Sequence, residues 1–431
     1  MTVPEIYEIF LKYPAVLTDS RKITPGGFFF ALKGENFDGN RFAASALEAG
    51  ASFAVVDSPA VAKDKRFILV KNVLETLQQL AAFHREELGL PVIAITGTNG
   101  KTTTKELVAA VLSKKYQVEY TRGNLNNHIG VPLTLLSMTA ETDIGIVEMG
   151  ANHPGEIDFL CRIARPGYGL ITNVGKAHLE GFGSFEGVVR TKSELYRFLE
   201  EQNGLVFVNG GNEILLGSAG NILKKVRYGT AKDNYQRGEV AGSIPFLQVK
   251  AWFRDQELLI PTHLVGDYNL ENVLAATAVG RYFGVEPSLI RDAIESYTPS
   301  NNRSQYMKAG SNEIIMDAYN ANPSSMQASI ANFLTLPQPG KLIILGDMLE
   351  LGDAAAGEHQ QIINYLSTSV QHGVLLCGPI FHNTSLPPGF LSFPDRAALM
   401  DYLRANPPVE NLILIKGSRG MQLEKLIELF N

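Results

Sequence analysis

The sequence predicts an α/β protein of three domains: a small N-terminal α/β domain, a central parallel-sheet domain and a C-terminal Rossmann-like domain. Three observations predict it. Short apolar runs of strand length alternate with segments of helical periodicity along the chain. In the middle and last regions this alternation implies parallel sheets covered on both faces. Breakers interrupt it at Gly89-Leu90-Pro91 and near Tyr297-Thr298-Pro299. They divide the 431 residues into 1–87, 88–297 and 298–431, in keeping with about 100 to 200 residues per domain.

In the first region Gly26-Gly27-Phe28-Phe29-Phe30-Ala31-Leu32, Ala54-Val55-Val56 and Phe67-Ile68-Leu69-Val70 read as strands. Helical patterns cover Phe42 to Glu48 and Val73 to Leu88. The second region opens with Val92-Ile93-Ala94-Ile95 and adds Ile144-Gly145-Ile146-Val147 and Gly169-Leu170-Ile171-Thr172, with helical patterns between them. From 204 to 262 short alternating runs such as Phe246-Leu247-Gln248-Val249-Lys250-Ala251-Trp252 predict an antiparallel addition at an edge. The third region carries Ile314-Ile315-Met316, Leu342-Ile343-Ile344-Leu345, Val374-Leu375-Leu376 and Leu412-Ile413-Leu414-Ile415. Helices between them predict a second doubly wound sheet.

Composition narrows the function. Hydrophobic residues at 45% and charged residues at 19% allow several cores without covalent staples. Two cysteines, Cys161 and Cys377, are too few for a disulfide framework or a zinc cluster and read as reduced, buried thiols. The N-terminus has no basic stretch followed by an apolar one, and no run reaches the roughly 18 apolar residues of a membrane span. A cytoplasmic protein without membrane insertion is expected. A net charge of −6 argues against a nucleic-acid partner, yet leaves room for small anions held by local cations and backbone N–H groups.

Ala94-Ile95-Thr96-Gly97-Thr98-Asn99-Gly100-Lys101-Thr102-Thr103-Thr104 joins a buried strand to a helix. Glycines let the turn close tightly and aim several N–H groups at one anion, and the helix adds the positive end of its dipole. Lys101 can reach terminal phosphates and the Thr102 hydroxyl can ligate Mg²⁺. The strict phosphate-loop pattern wants glycine where Ile95 stands, but the Gly-Lys-Thr core and its context are intact.

Ligands of open α/β sheets sit beyond the carboxyl ends of the strands. There the central region places Glu148, Asn173 and His178, and a carboxylate and an imidazole beside such a loop can hold Mg²⁺ or polarise a phosphate oxygen. Lys192, at a helix start in Arg190-Thr191-Lys192-Ser193, reads by itself as a solvated surface lysine. Asn124, Asn126 and Asn127, and Asn320 and Asn322, form two polar clusters. Turns alone could use them; their amides also suit recognition of a peptide or nucleotide.

Gly97-Thr98-Asn99-Gly100-Lys101-Thr102, the segment Gly266-Asp267-Tyr268-Asn269-Leu270-Glu271-Asn272, and Arg303 together resemble the Mur ligases of peptidoglycan synthesis. Thr18-Asp19-Ser20-Arg21 and Gly34-Glu35-Asn36-Phe37-Asp38-Gly39 are similar to that family's UDP-sugar domain. Asp317-Ala318-Tyr319-Asn320-Ala321-Asn322-Pro323, Leu345-Gly346-Asp347-Met348-Leu349-Glu350-Leu351-Gly352, Lys416-Gly417-Ser418-Arg419 and Gly123-Asn124-Leu125-Asn126-Asn127 resemble the branch that adds D-alanyl-D-alanine. The Asp-Asn-Pro-Arg motif of the third-residue-adding branch is absent from the sequence.

The resemblance implies a monomeric, ATP-dependent ligase joining D-alanyl-D-alanine to UDP-N-acetylmuramoyl-tripeptide through an acyl phosphate. It implies that Gly97, Thr98, Asn99, Gly100, Lys101, Thr102 and Thr103 bind ATP phosphates. Thr102 and Glu148 would hold one Mg²⁺, and His178 with a carbamylated Lys192 a second. Asn272 would contact adenine, Arg303 and Asp317 the ribose and phosphates. Ser20 and Arg21 would belong to the UDP-sugar site. One departure stands out: Asn209-Gly210-Gly211-Asn212 replaces the family's Asn-x-Asp-Asp. A third-residue-adding ligase, a folyl-polyglutamate-type ligase and an ATP-gated regulatory protein are the alternatives; the Asp-Ser-Arg region counts against the folyl type.

Overall fold

The computed structural model describes residues 1–254, 256–300, 302–338, 340–370 and 373–430. Three main sheets follow one another along the chain. The first is all parallel, in the order Val16–Leu17, Phe28–Phe30, Phe53–Val56, Phe67–Leu69. Phe28, Phe29 and Phe30 are all buried because helices cover both faces of this small sheet.

Helix Val73–Leu88 leaves that sheet, capped by the Asn72 side chain accepting from Glu75 N and ended by Gly89 in the left-handed region (φ 62°). It packs on helices Gly130–Leu136 and Glu156–Ala164 of the following region. One apolar cluster therefore runs from Ile6 and Phe10 through Leu77 and Leu80 to Leu135 and Leu160. The glycine-proline break is thus a bend in the chain and not a gap in the core.

Among the described residues the central sheet has nine strands, in the order 256–265, 246–253, 236–243, 224–229, 205–209, 168–171, 92–96, 144–148, 118–120. The antiparallel expectation for 204–262 needs correction. Leu205–Asn209 and Lys224–Gly229 continue the parallel sheet, and the antiparallel pairing begins only between 236–243 and 246–253. Leu205–Asn209 is buried at every position, so burial on both faces, not hairpin alternation, explains its sequence.

The third sheet runs 305–309, 312–317, 412–416, 341–346, 374–377, 390–393, parallel except for the edge hairpin 305–309/312–317. No helix is long and apolar enough to cross a membrane among the described residues.

Candidate active site

Strand Val92–Thr96 is fully buried and ends beside helix Lys101–Leu112. Gly97 (φ 142°) and Gly100 (φ 76°) shape the turn between them. A side chain at Gly97 would meet the Thr172 hydroxyl at 2.0 Å, and one at Gly100 would meet Asn272 Oδ1 at 2.5 Å. Neither space nor backbone conformation admits anything larger. The neighbouring strand end pins the turn: Thr172 Oγ1 donates to Asn99 O (2.7 Å), and Asn173 Oδ1 accepts from Asn99 N (2.9 Å).

Lys101 Nζ donates to the carbonyls of Gly97 and Thr98 at 2.7 and 2.9 Å. Loss of hydration lowers its pKa to about 8, against the pull of Glu148 and with a smaller push from Arg303. Glu148, 1% exposed, is held from three sides. Thr102 Oγ1 donates to it at 2.9 Å and Asn126 Nδ2 at 2.8 Å, while its own N–H donates to Thr121 Oγ1. The carboxylate and the Thr102 hydroxyl therefore form one unit at the mouth of the turn.

These groups open onto a cavity of about 760 Å³, within the usual range for a small-molecule site. Thr98 to Thr103, Glu148 and His178 line one wall; Arg303, Asp317, Asn320 and Asn322 line the other. Arg303 stacks over the Tyr319 ring at 3.6 Å, and its buried Nε has no hydrogen-bond partner among the described residues. Asp317 is ion-paired with Lys416, itself 2% exposed. Direct contacts also join the two parts of the chain at and beside the cavity. Asn322 Nδ2 donates to Asn99 Oδ1 (2.8 Å), His178 Nδ1 lies 2.6 Å from Glu350, and Lys176 Nζ lies 2.8 Å from Glu358.

Several site residues prove to be occupied locally. Asn127 Oδ1 accepts from Ile129 N and Gly130 N, just ahead of helix Gly130–Leu136. Asn126 serves Glu148. Asn320 bonds the neighbouring Ala321 N–H, and Asn322 caps helix Pro323–Thr335. Asn272 accepts from Thr104 Oγ1 and donates to Asn269 Oδ1, so it braces the helix behind the turn. Asn124 lines the cavity. Ser20 and Arg21 are not among its lining residues, and the exposed Arg21 pairs with Asp19 at 2.8 Å.

Lys192 overturns the surface reading. It is 2% exposed, its Nζ 3.4 Å from Ala151 O and over the Phe182 ring. Burial, then repulsion from Lys101, lowers its pKa to about 7, although Glu156 and Glu194 pull the other way. Sequence reasoning missed Lys105, which is wholly buried beside Glu148. Its signal was its place four residues after Lys101, on the same helix face.

Among the described residues no group of three or more His, Cys, Asp and Glu forms a metal cage. The donors present suit another kind of site: one carboxylate and one hydroxyl beside a phosphate turn, the share that protein gives to Mg²⁺ when phosphates and water complete its shell.

Comparisons agree with this geometry. Residues 12–85 match the model described as Mur ligase family, catalytic domain; 95–280 the Mur ligase middle domain; 302–419 the Mur ligase, glutamate ligase domain. The UDP-N-acetylmuramoyl-tripeptide--D-alanyl-D-alanine ligase of Bacillus subtilis (strain 168) is 38% identical over 427 residues, covering 96% of this chain and 92% of its own. The crystal structure of MurF from Acinetobacter baumannii superposes with a TM-score of 0.85 at 29% identity, covering 99% of this chain and 98% of its own. MurF ligase from Thermotoga maritima, in complex with ADP, gives 0.85 at 27% identity, covering 97% of each chain. A relative at this identity over nearly the full length, with all three family models matched in order, settles the affiliation: the chain belongs to the Mur ligase family.

Proposed function

We propose that this chain is an ATP-dependent ligase that joins D-alanyl-D-alanine to UDP-N-acetylmuramoyl-tripeptide, giving the pentapeptide precursor of peptidoglycan, ADP and phosphate. The observation that carries this reading is the single cavity in which Lys101, Glu148, Arg303 and Asp317 meet. Cations and backbone N–H groups there suit a nucleotide triphosphate. The full-length similarity to UDP-N-acetylmuramoyl-tripeptide--D-alanyl-D-alanine ligases supplies the substrates.

The reaction has two steps. The terminal carboxylate of the tripeptide attacks the γ-phosphorus, and ADP leaves. The dipeptide amine then attacks the acyl carbon, expels phosphate and gives up a proton. Lys101 and Arg303 offset the repulsion between carboxylate and triphosphate, and the rigid turn places the phosphates in line. Thr102 and Glu148 would hold Mg²⁺, which when bound neutralises phosphate charge and orients its oxygens.

His178 and Lys192 would serve a second ion. Lys192 suits that part only once carbamylated, because an ammonium cannot ligate a cation. An amine with its pKa lowered to about 7 is substantially unprotonated near neutrality and can attack CO₂. Residues 1–87, with Ser20 and Arg21, are assigned to the UDP-muramoyl end, 88–297 to ATP and 298–431 to closing the nucleotide site. The setting proposed is the cytoplasm, with the chain acting as a monomer.

The test is phosphate release from ATP in the presence of UDP-N-acetylmuramoyl-tripeptide, D-alanyl-D-alanine, or both. Release that needs both, and falls at least about a hundredfold in Lys101→Ala, is expected. Release indifferent to the two substrates would replace the ligase with an ATP-gated regulator.

A further inference from the structure

Helix Lys101–Leu112 carries a second lysine one turn beyond Lys101, and this one, Lys105, is buried. Lys105 is wholly buried, yet its Nζ has no hydrogen-bond partner among the described residues. Two carboxylates stand just out of reach, Glu148 Oε2 at 3.6 Å and Glu106 Oε1 at 3.8 Å. The Tyr120 ring lies 5.8 Å away. An ammonium stripped of water is costly to keep unless its charge is balanced. Here the balance is shared, almost evenly, between the carboxylate of the phosphate site and one outside it. Glu106 is in turn tied to the far side: its Oε2 accepts from Tyr297 Oη at 2.6 Å. Tyr297 ends helix Pro287–Ser296 and begins the segment leading to Arg303.

We infer that Lys105 is a positioning residue whose ammonium is divided between Glu148 and Glu106, so that Glu106 and Tyr297 set how strongly Glu148 attracts a divalent cation. With the ammonium on Glu148, the carboxylate's charge is cancelled. A cation arriving at Glu148 repels the ammonium toward Glu106, where a second carboxylate receives it. Tyr297 competes for Glu106 through its hydrogen bond, which links the charge of the phosphate site to the start of the segment entering the C-terminal region. The inference rests on the reading of Glu148 as a cation-holding residue.

The experiment measures Mn²⁺ binding to the full chain with ADP by electron paramagnetic resonance, which needs no turnover. Lys105→Met should tighten Mn²⁺ binding about tenfold and weaken metal-free ADP; Glu106→Gln should loosen Mn²⁺ about tenfold, because the ammonium then rests on Glu148. Tyr297→Phe changes no charge, frees Glu106 to draw the ammonium away, and should tighten Mn²⁺ by a few fold. Lys105→Arg should stay close to the parent. Unchanged Mn²⁺ affinity in Tyr297→Phe, or shifts of one sign in Lys105→Met and Glu106→Gln, would overturn the relay. Should Lys105→Met fail to fold, the opposed shifts of Glu106→Gln and Tyr297→Phe decide alone. Mn²⁺ binding left unchanged by Glu148→Gln would instead remove the underlying reading.

Discussion

Burial holds the Lys192 amine at about 7, far from the 10.5 of a free lysine. Between those values the unfolded chain binds a proton that the native chain does not, so stability from this group rises with pH across the window. Below 7 both forms are protonated and the burial penalty is fully present. In CO₂-free buffer Lys192→Met should therefore be more stable than the parent below pH 7, and urea unfolding should show the gap closing as pH approaches 10.5. If the carbamate is its working form, Lys192→Ala should lose phosphate release and regain part of it with short-chain carboxylic acids, which restore an oxygen anion. Full activity in that variant would remove the carbamate. None of this is legible in Arg190-Thr191-Lys192-Ser193, because a lysine's letters are the same on a wet helix face and a dry one.

Helix N-termini supply part of the site's polar framework, at Lys101 and at Asn322. Asn322 does two jobs: Oδ1 accepts from Ser325 N at 2.9 Å, and Nδ2 reaches Asn99 in the phosphate turn. Serine keeps the first job and loses the second. Asn322→Ala should cost about 1 kcal/mol of stability through the lost cap. Asn322→Ser should keep the thermal midpoint near the parent while raising KM for ATP, and equal midpoints for Ala and Ser would remove the cap argument. The strand–turn–helix at 92–112 was readable because its glycines and its apolar run are local signals. The strands Val118–Tyr120, Gln305–Ala309 and Phe390–Phe393 were not: they are short, and edge pairing rather than sequence pattern makes them strands.

The nucleotide cavity belongs to two regions of the chain at once, with Lys101 and Glu148 on one side and Arg303 and Asp317 on the other. A ligand bound there stabilises both together. At ADP concentrations near a hundred times Kd, mass action should add about 2.7 kcal/mol. Arg303→Ala, if it weakens ADP about tenfold, should remove about 1.3 kcal/mol of that gain while leaving the ligand-free midpoint unchanged. Calorimetry with and without ADP checks both. An undiminished shift in the variant would place the nucleotide away from the Tyr319 stack.

By itself the sequence determined the α/β class, the parallel sheets and the phosphate turn, because each is written in the period and punctuation of neighbouring residues. It also carried the family through motifs spread along the whole chain. Only the tertiary structure decided which polar side chains line the cavity and which of those are also held by local bonds, as Asn127, Asn272 and Asn126 are. It alone decided that Lys105 and Lys192 are buried. The physical reason is that hydration and charge pairing depend on what the rest of the chain packs against a group, and residues far apart in sequence, such as Lys105 with Glu148 and Glu106 with Tyr297, meet only after folding.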